Sequence, residues 1–505
     1  MASDKKDHPK ISVSVIYTEK IDHADGYFTP GGEYIKHHGL NWVITGLFLV
    51  GDIAGGGLVA LPTAMIQSQF WVGMLAMFIM TLVTGYTSYV LGLSWMILIK
   101  NWPEYRSHTR KPYPEIGYRA CGRRIRNLVS LCITVTQFGV AVVYILLASK
   151  NIHDFVQTFF DAELSYCYVI LVVSLALLPV TFLKSPQDFW AAVVLAMFTT
   201  AAAVILIIVG AAIDSGTCSA ERAMPDFRIT NYFLALGTVI FSYGGHAAFP
   251  TIQHDMKRPQ EFTKSTILAF ACTWGMYMPV CIIAYFTYGD SLRDSIINNI
   301  QTQWIQRVVN MLITVHCILT TTIVINPLNQ EAEEMFNVPQ DFSMKRVVVR
   351  TVVMGILVFV AESVPNFGPL LDLVGGSTLT LSSILLPCIF YTFLKTAEEE
   401  HAKQNDPKAP MRRVSWRKAI EKHDVNFYIC CFIIFFGILG GMAATFSAVH
   451  GLTITHFIAP CYIQPFLKSK AAEKIGAMNC CGHFQNITRL ADTLKCSKPD
   501  MNFYN

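Results

Sequence analysis

Long apolar runs, separated by short polar and charged segments, dominate the chain from about residue 40 to residue 450. A helix that crosses a bilayer needs about 20 apolar residues. No Asp, Glu, Lys or Arg occurs from Ile53 to Ile99, which is room for two helices joined by a turn at Gln67–Phe70. Further runs free of these residues are Asn127–Ser149, Leu164–Leu183, Phe189–Ile213, Ile229–His254, Ser265–Gly289, Val308–Gln330 and Leu373–Leu394. The last free run, Val425–Leu467, supplies a helix at Phe427–Val449; its remainder holds Pro460 and Pro465 and is too broken to cross again. Val347–Ala361 becomes long enough only if Arg350 snorkels from its start. The pattern predicts an all-α polytopic membrane protein with eleven transmembrane helices.

Composition agrees. The chain is 53% hydrophobic and 15% charged, against about 25% charged in soluble domains. The net charge of +4 matters less than its placement. With the N-terminus inside, the N-terminal tail (1–40) carries five basic residues and the inside loops 23, eight of them in Lys100–Arg126 and eight in Lys395–Lys422. The outside loops carry five: Lys150, Arg222, Arg228, Arg293 and Arg307. This asymmetry predicts a cytosolic N-terminus. Eleven crossings then put the C-terminal tail (451–505) on the extracellular or lumenal side. That tail holds an N-x-T sequon, Asn486-Ile487-Thr488, a candidate glycosylation site. It also holds Cys461, Cys480, Cys481 and Cys496, where disulfides are permitted. The fourteen cysteines show no metal-binding spacing, and most lie in apolar segments as small hydrophobes. "IGYRACGRRIR" (Ile116–Arg126) reads as a helix on the inside surface, and Lys257-Arg258-Pro259 as an inside anchor.

The first span contains "GDIAGGGLVALP", Gly51–Pro62. Three consecutive glycines (Gly55–Gly57), a proline and an aspartate are all costly in a membrane helix. The sixth span contains a counterpart: "GGLVALP" (Gly56–Pro62) matches "GGHAAFP" (Gly244–Pro250), a glycine pair, four residues and a proline. The two spans run in opposite directions, and each opens a group of five. This is the signature of an inverted repeat with two broken helices, with halves at 41–213 and 229–394 and an added helix at 427–449. A break at mid-membrane frees backbone groups that must be satisfied by a ligand or by water. Free N–H groups at a half-helix start suit a carboxylate, and free carbonyls suit an ammonium or a cation. An amino acid offers both groups. The proline is expected to help restart each helix.

The sequence resembles the amino acid/auxin permease family, and within it is similar to the vesicular inhibitory amino acid transporters and their invertebrate relatives. The stretches that carry the resemblance are "GDIAGGGLVALP", "PYPEIGYRACG" (Pro112–Gly122), "LLPVTFLKS" (Leu177–Ser185), "FSYGGHAAFPTIQHDMKRPQEF" (Phe241–Phe262) and "VPNFGPLLDLVGGSTLT" (Val364–Thr380). The resemblance implies a leucine-transporter-type fold with a 5+5 inverted repeat. It also implies secondary active amino-acid transport coupled to protons or sodium. Many relatives carry an Asn in the first span where this chain has Gly51, followed by Asp52. That difference puts sodium coupling in question.

The expected substrate-binding residues are Gly55, Gly56 and Gly57 in the first break, with Ser242, Tyr243, Gly244 and Gly245 facing them. Gln137 and Tyr144 join them from a polar stripe that also includes Thr134. Asp52 and Thr321, the latter within Thr320–Thr322, are the expected coupling-ion residues. A carboxylate inside a membrane is a functional candidate by default; its alternative is a pairing with a core hydroxyl. His246 reads as a hydrogen-bonded structural histidine or a titrating one. Asp372, Gly375 and Gly376 read as an outer gate or a helix cap. No nucleotide-binding P-loop or H-E-x-x-H motif occurs, and no cofactor, metal or nucleic-acid site is expected. The partners implied are an amino acid, H+ or Na+, and the lipid bilayer of the plasma membrane or of a lysosomal or vesicular membrane. The chain is not an enzyme in this reading. A sensor that binds an amino acid without concentrating it is the competing function.

Overall fold

A computed structural model describes residues 26–107, 109–160, 164–182, 190–339, 343–404, 410–421, 424–455, 458–466, 478–490, 493 and 496–504. A two-stranded antiparallel hairpin, β1 (Gly26–Phe28) and β2 (Tyr34–Lys36), comes first. The helices are α1 (Trp42–Ile53), α2 (Gly56–Ser68), α3 (Phe70–Asn101), α4 (Pro112–Cys121), α5 (Arg123–Phe160), α6 (Tyr166–Thr181) and α7 (Trp190–Cys218). They continue with α8 (Ile229–Ser242), α9 (Phe249–His254), α10 (Phe262–Tyr288), α11 (Gln303–Met335) and α12 (Met344–Ser363). Helix α13 (Phe367–Val374) runs through a wider π-helical segment (Gly375–Leu385) into α14 (Leu386–Ala402), and α15 (Trp416–Ile420) and α16 (Val425–His450) follow.

Among the described residues, seven helices are long and apolar enough to cross a membrane, and α1 with α2 makes an eighth crossing bent by 60°. Helices α6 and α8 are shorter apolar helices. The flanks confirm the solvent. Trp71, Leu75, Phe78 and Leu82 on α3 are exposed at spacings of three to four residues, as are Phe432, Phe435, Phe436, Leu439, Met442 and Phe446 on α16. Apolar stripes of this size are untenable in water and ordinary against lipid. This is an integral multi-pass membrane protein.

Local chemistry sets the ends. The Asn41 side chain accepts from the Ile44 N–H at 2.9 Å to start α1, and Asp424 accepts from Phe427 at 2.7 Å to start α16. The turn between the first two spans shrinks to one residue, Gln69, held at φ 65° with its side chain donating to the Pro225 carbonyl. Gly122, at φ 101°, separates α4 from α5, so Ile116–Arg126 is not a single surface helix.

Three other expectations change. Arg350 does not snorkel: it is buried, and its Nε donates to Glu333 at 2.6 Å, with Arg346 on the same carboxylate at 3.0 Å. An ion pair replaces the water that snorkelling would have supplied. Asp372 does not cap a helix, because α13 begins at Phe367; it accepts instead from the Thr238 hydroxyl on α8. Two cysteines of the apolar body are not inert: Cys167 pairs with Cys461 and Cys218 with Cys481, while Cys480 pairs with Cys496. The C-terminal residues are thereby fixed to the start of α6 and the end of α7. They also bind the α10–α11 connection, where Arg293 donates to Asp500 and Tyr504 to Leu292. The last residues of the N-terminal tail are docked as well, with the Lys36 ammonium donating to the His254 carbonyl at 2.6 Å.

Candidate functional site

Helix α1 stops at Ile53 because the chain turns extended at Ala54 (φ −84°, ψ 95°) and stays out of the helical region at Gly55 (φ −152°, ψ −121°). Helix α2 restarts at Gly56, and Pro62 lies inside it rather than at its start. The glycines, not the proline, set the restart. The second break differs. Helix α8 ends at Ser242, residues 243–248 are not helical, and Pro250 sits in the first turn of α9, where its missing N–H costs nothing.

The two breaks meet. A Cβ on Gly57 would fall 2.6 Å from the Ser242 Cα, and one on Gly245 would fall 2.8 Å from the Asp52 Oδ2 and 3.2 Å from Ile53. Only glycine allows these approaches. Between the breaks lies a narrow cavity of about 460 Å3 including its open mouth. Asp52 and Ile53 line it from α1, Gly244 and Gly245 from the second break, Gln137 and Tyr144 from α5, and Thr320 from α11.

Asp52 carries the strongest chemical signal. Among the described residues, no hydrogen bond or ion pair reaches its carboxylate, so it has no core hydroxyl. Two other interior acids are satisfied: Asp214 accepts from Tyr288 at 2.7 Å and from the Gln301 N–H at 2.8 Å, and Asp372 accepts from Thr238. A carboxylate left without partners in a poorly solvated cavity is costly unless a positive group joins it.

The other expected residues divide. Gln137, Tyr144, Gly244 and Gly245 face the cavity with Asp52. Gly55 and Gly56 lie under the Tyr144 side chain and Gly57 under Ser242, so these three N-terminal positions of α2 are covered rather than exposed to the cavity. The Ser242 hydroxyl donates to the Thr238 carbonyl at 2.7 Å, and the Tyr243 ring packs on Tyr277 at 5.4 Å. Thr321 donates to the Cys317 carbonyl at 2.6 Å; its neighbour Thr320 is the one on the cavity. His246 is buried, with its Nε2 3.1 Å from the Thr84 carbonyl and 3.0 Å from the Thr87 hydroxyl. A carbonyl only accepts, so Nε2 carries the proton.

Two residues at the breaks escape the sequence reading. His316 on α11 is buried against Gly55, with Nδ1 2.8 Å from the Thr200 hydroxyl and 3.1 Å from the Ala196 carbonyl, and Nε2 3.2 Å from Thr320. It stands one helical turn before Thr320, and that i, i+4 spacing was the available clue. Tyr277 on α10 reaches both breaks at once, and nothing in its sequence context marks it.

A bundle with lipid-facing flanks and two interrupted helices meeting at an interior cavity defines a membrane transporter. Comparison with known proteins places it further. The chain belongs to the transmembrane amino acid transporter protein family, which matches residues 38–447. It is 25% identical over 353 residues to amino acid transporter AVT1J of Arabidopsis thaliana, covering 68% of this chain and 80% of that relative. It is 24% identical over 417 residues to amino acid transporter AVT1D of the same plant, covering 79% and 68%. The fold is shared with the crystal structure of MhsT in complex with L-phenylalanine, at TM-score 0.54 and 9% identity, over 82% of this chain and 100% of that one.

Proposed function

We propose that this chain is a secondary active transporter that carries an amino acid between the two breaks by alternating access, coupled to a proton or sodium gradient. The observation that carries the reading is the Asp52 carboxylate, without a partner among the described residues, on the cavity where the breaks meet. Such a group calls for a positive charge, and either the substrate ammonium or the coupling cation brings one. Gly244, Gly245, Gln137 and Tyr144 complete the contacts on the cavity side. The N–H groups at the start of α2, at Gly56 and Gly57, are assigned to the substrate carboxylate, with Tyr144 as the cover that must swing aside. Gly55, Ser242 and Tyr243 shape the backbone around it, and Thr321 supports the neighbouring Thr320 rather than holding the ion itself.

In this reading α1 with α2, α6, α8 with α9, and α12 are also crossings, which makes eleven. The first ten form the 5+5 inverted repeat, with halves at 41–213 and 229–394, and α16 is the eleventh. Residues 1–40 are then cytosolic and residues 451–505 extracellular or lumenal. The three disulfides support that side for the tail, because oxidising compartments favour them. Exposed Asn486 is the expected glycan acceptor. Treatment with a peptide N-glycosidase should increase the gel mobility of the protein from eukaryotic cells, and Asn486→Gln should remove that shift. A shift that persists in the variant would contradict the assignment.

The direct test is uptake of a radiolabelled amino-acid panel by purified protein in proteoliposomes, with sodium and proton gradients imposed separately. Concentrative uptake driven by either gradient supports the carrier. Saturable binding without flux would make the protein a sensor instead. Gly57→Ala tests the meeting of the breaks. The added Cβ cannot escape the Ser242 backbone by a rotamer change. Overpacking of this kind costs about 1–3 kcal/mol, so uptake should fall by about tenfold or more. Wild-type uptake by Gly57→Ala would show that the two half-helices do not need this contact.

A further inference from the structure

The C-terminal end of a helix carries unpaired carbonyls and a partial negative charge. Here two such ends, Ile53 of α1 and Ser242 of α8, are brought together in the dry interior by the Gly57–Ser242 and Gly245–Ile53 approaches. Two converging negative ends need something positive between them. A metal cation is one solution; this chain contains another. The Tyr277 hydroxyl, on α10, donates toward the Ser242 carbonyl at 2.9 Å and the Ile53 carbonyl at 3.2 Å. One hydrogen is shared by the last carbonyls of both half-helices. The Tyr277 side chain is fully buried, and its ring is held edge-on against Tyr243, the residue that caps the end of α8.

We propose that Tyr277 is a positioning residue that stands in for a bound cation at this point: its O–H clasps the two half-helix ends in register, and no sodium ion occupies the position. The proposal rests on the reading of the breaks as the transport site. The clasp makes no contact with substrate and acts by keeping the Asp52 side of the cavity aligned with the Gly244–Gly245 side. An uncharged clasp also carries no transported charge of its own, so the coupling ion must act elsewhere in the cavity.

The test compares wild type with Tyr277→Phe and with two near-isosteric replacements at 277, 4-aminophenylalanine and 4-fluorophenylalanine. The amine keeps N–H donors for both carbonyls, and the fluoride keeps the size without a donor. Expected results are a loss of maximal uptake of about tenfold in Tyr277→Phe and in the 4-fluoro protein, with KM changed by less than about threefold, and recovery in the 4-amino protein. Melting temperatures in choline chloride and in sodium chloride supply a readout independent of transport. The wild-type difference between the two salts, which includes any sodium bound elsewhere in the cavity, sets the baseline. Tyr277→Phe should melt lower in choline and regain part of the loss in sodium, because the bared carbonyls then accept a cation. Equal uptake by the 4-fluoro and 4-amino proteins, or a sodium-dependent rise in melting temperature for Tyr277→Phe no larger than that of the wild type, would overturn the clasp. A wild type without uptake in any gradient would instead overturn the transport reading, and the melting comparison would still decide on Tyr277.

Discussion

Asp52→Asn is expected to reduce gradient-driven amino-acid uptake to the level of empty liposomes while leaving the protein as stable as the wild type or slightly more so. The two halves of this expectation have one cause. The Asp52 carboxylate faces the cavity without a hydrogen-bond or ion-pair partner among the described residues, so the folded protein gains nothing from its charge. Removing an unpaired charge from a poorly solvated place relieves a solvation cost, whereas removing a paired one breaks an interaction. Asn preserves the shape, so the packing of this side chain over Gly245, where a Cβ would fall 2.8 Å from the Asp52 Oδ2, is undisturbed. Only the attraction for a positive ligand is lost. Asp52→Glu keeps the charge but lengthens the side chain into a site that already excludes a Cβ on Gly245, and it should retain partial uptake at best. Counterflow exchange separates the two roles open to the carboxylate. If Asp52 holds the coupling ion, the Asn variant still exchanges substrate across the membrane but no longer concentrates it. If Asp52 holds the substrate ammonium, exchange disappears too. Undiminished concentrative uptake by Asp52→Asn would refute both roles.

Much of this site could be read from the sequence, because its backbone costs are written in the residue types. Gly and Pro in an apolar run mark an interruption whatever surrounds them, and the two matched motifs located both breaks. Asp52 was conspicuous for the same reason: a carboxylate is rare in such a run. What could not be read depended on long-range packing. Tyr277 lies 224 residues from Ile53 and 35 from Ser242, and a tyrosine in a membrane helix announces no partner. The disulfides of Cys167 and Cys218 span 294 and 263 residues, and an isolated cysteine in an apolar segment looks like any small hydrophobe. Gly55–Gly57 were recognised as a break, yet their shielding by Tyr144 and Ser242 follows from how α5 and α8 pack, which no local pattern encodes. Pro62 is the converse case: a proline suggests a helix start, yet a helix that starts at Gly56 absorbs it inside, past its first turn.

Glu333→Ala is expected to be among the most destabilising single substitutions in the chain, at about 3–5 kcal/mol, because it removes the acid from a buried ion pair. Glu333 on α11 accepts from Arg350 at 2.6 Å and forms an ion pair with Arg346 at 3.0 Å, both on α12, and all three side chains are at most 6% exposed. Arg350 also donates to the Thr181 carbonyl at the end of α6, so the cluster ties three helices at one level. Without the carboxylate, two buried guanidiniums would lose the acid they share. The variant should show a clearly lower melting temperature in detergent and a reduced yield of monodisperse protein. Glu333→Leu combined with Arg350→Met should recover part of the loss, since apolar replacement of a whole buried pair is often neutral. This cluster differs in kind from Asp52. Helix α11 also carries His316 and Thr320 to the first break, so its anchoring by α12 sets where they stand, but Glu333 is absent from the cavity lining. Whatever fraction of Glu333→Ala folds should therefore transport with an unaltered KM, while Asp52→Asn folds fully and does not transport. An unchanged melting temperature for Glu333→Ala would mean that the two arginines are neutralised by other means.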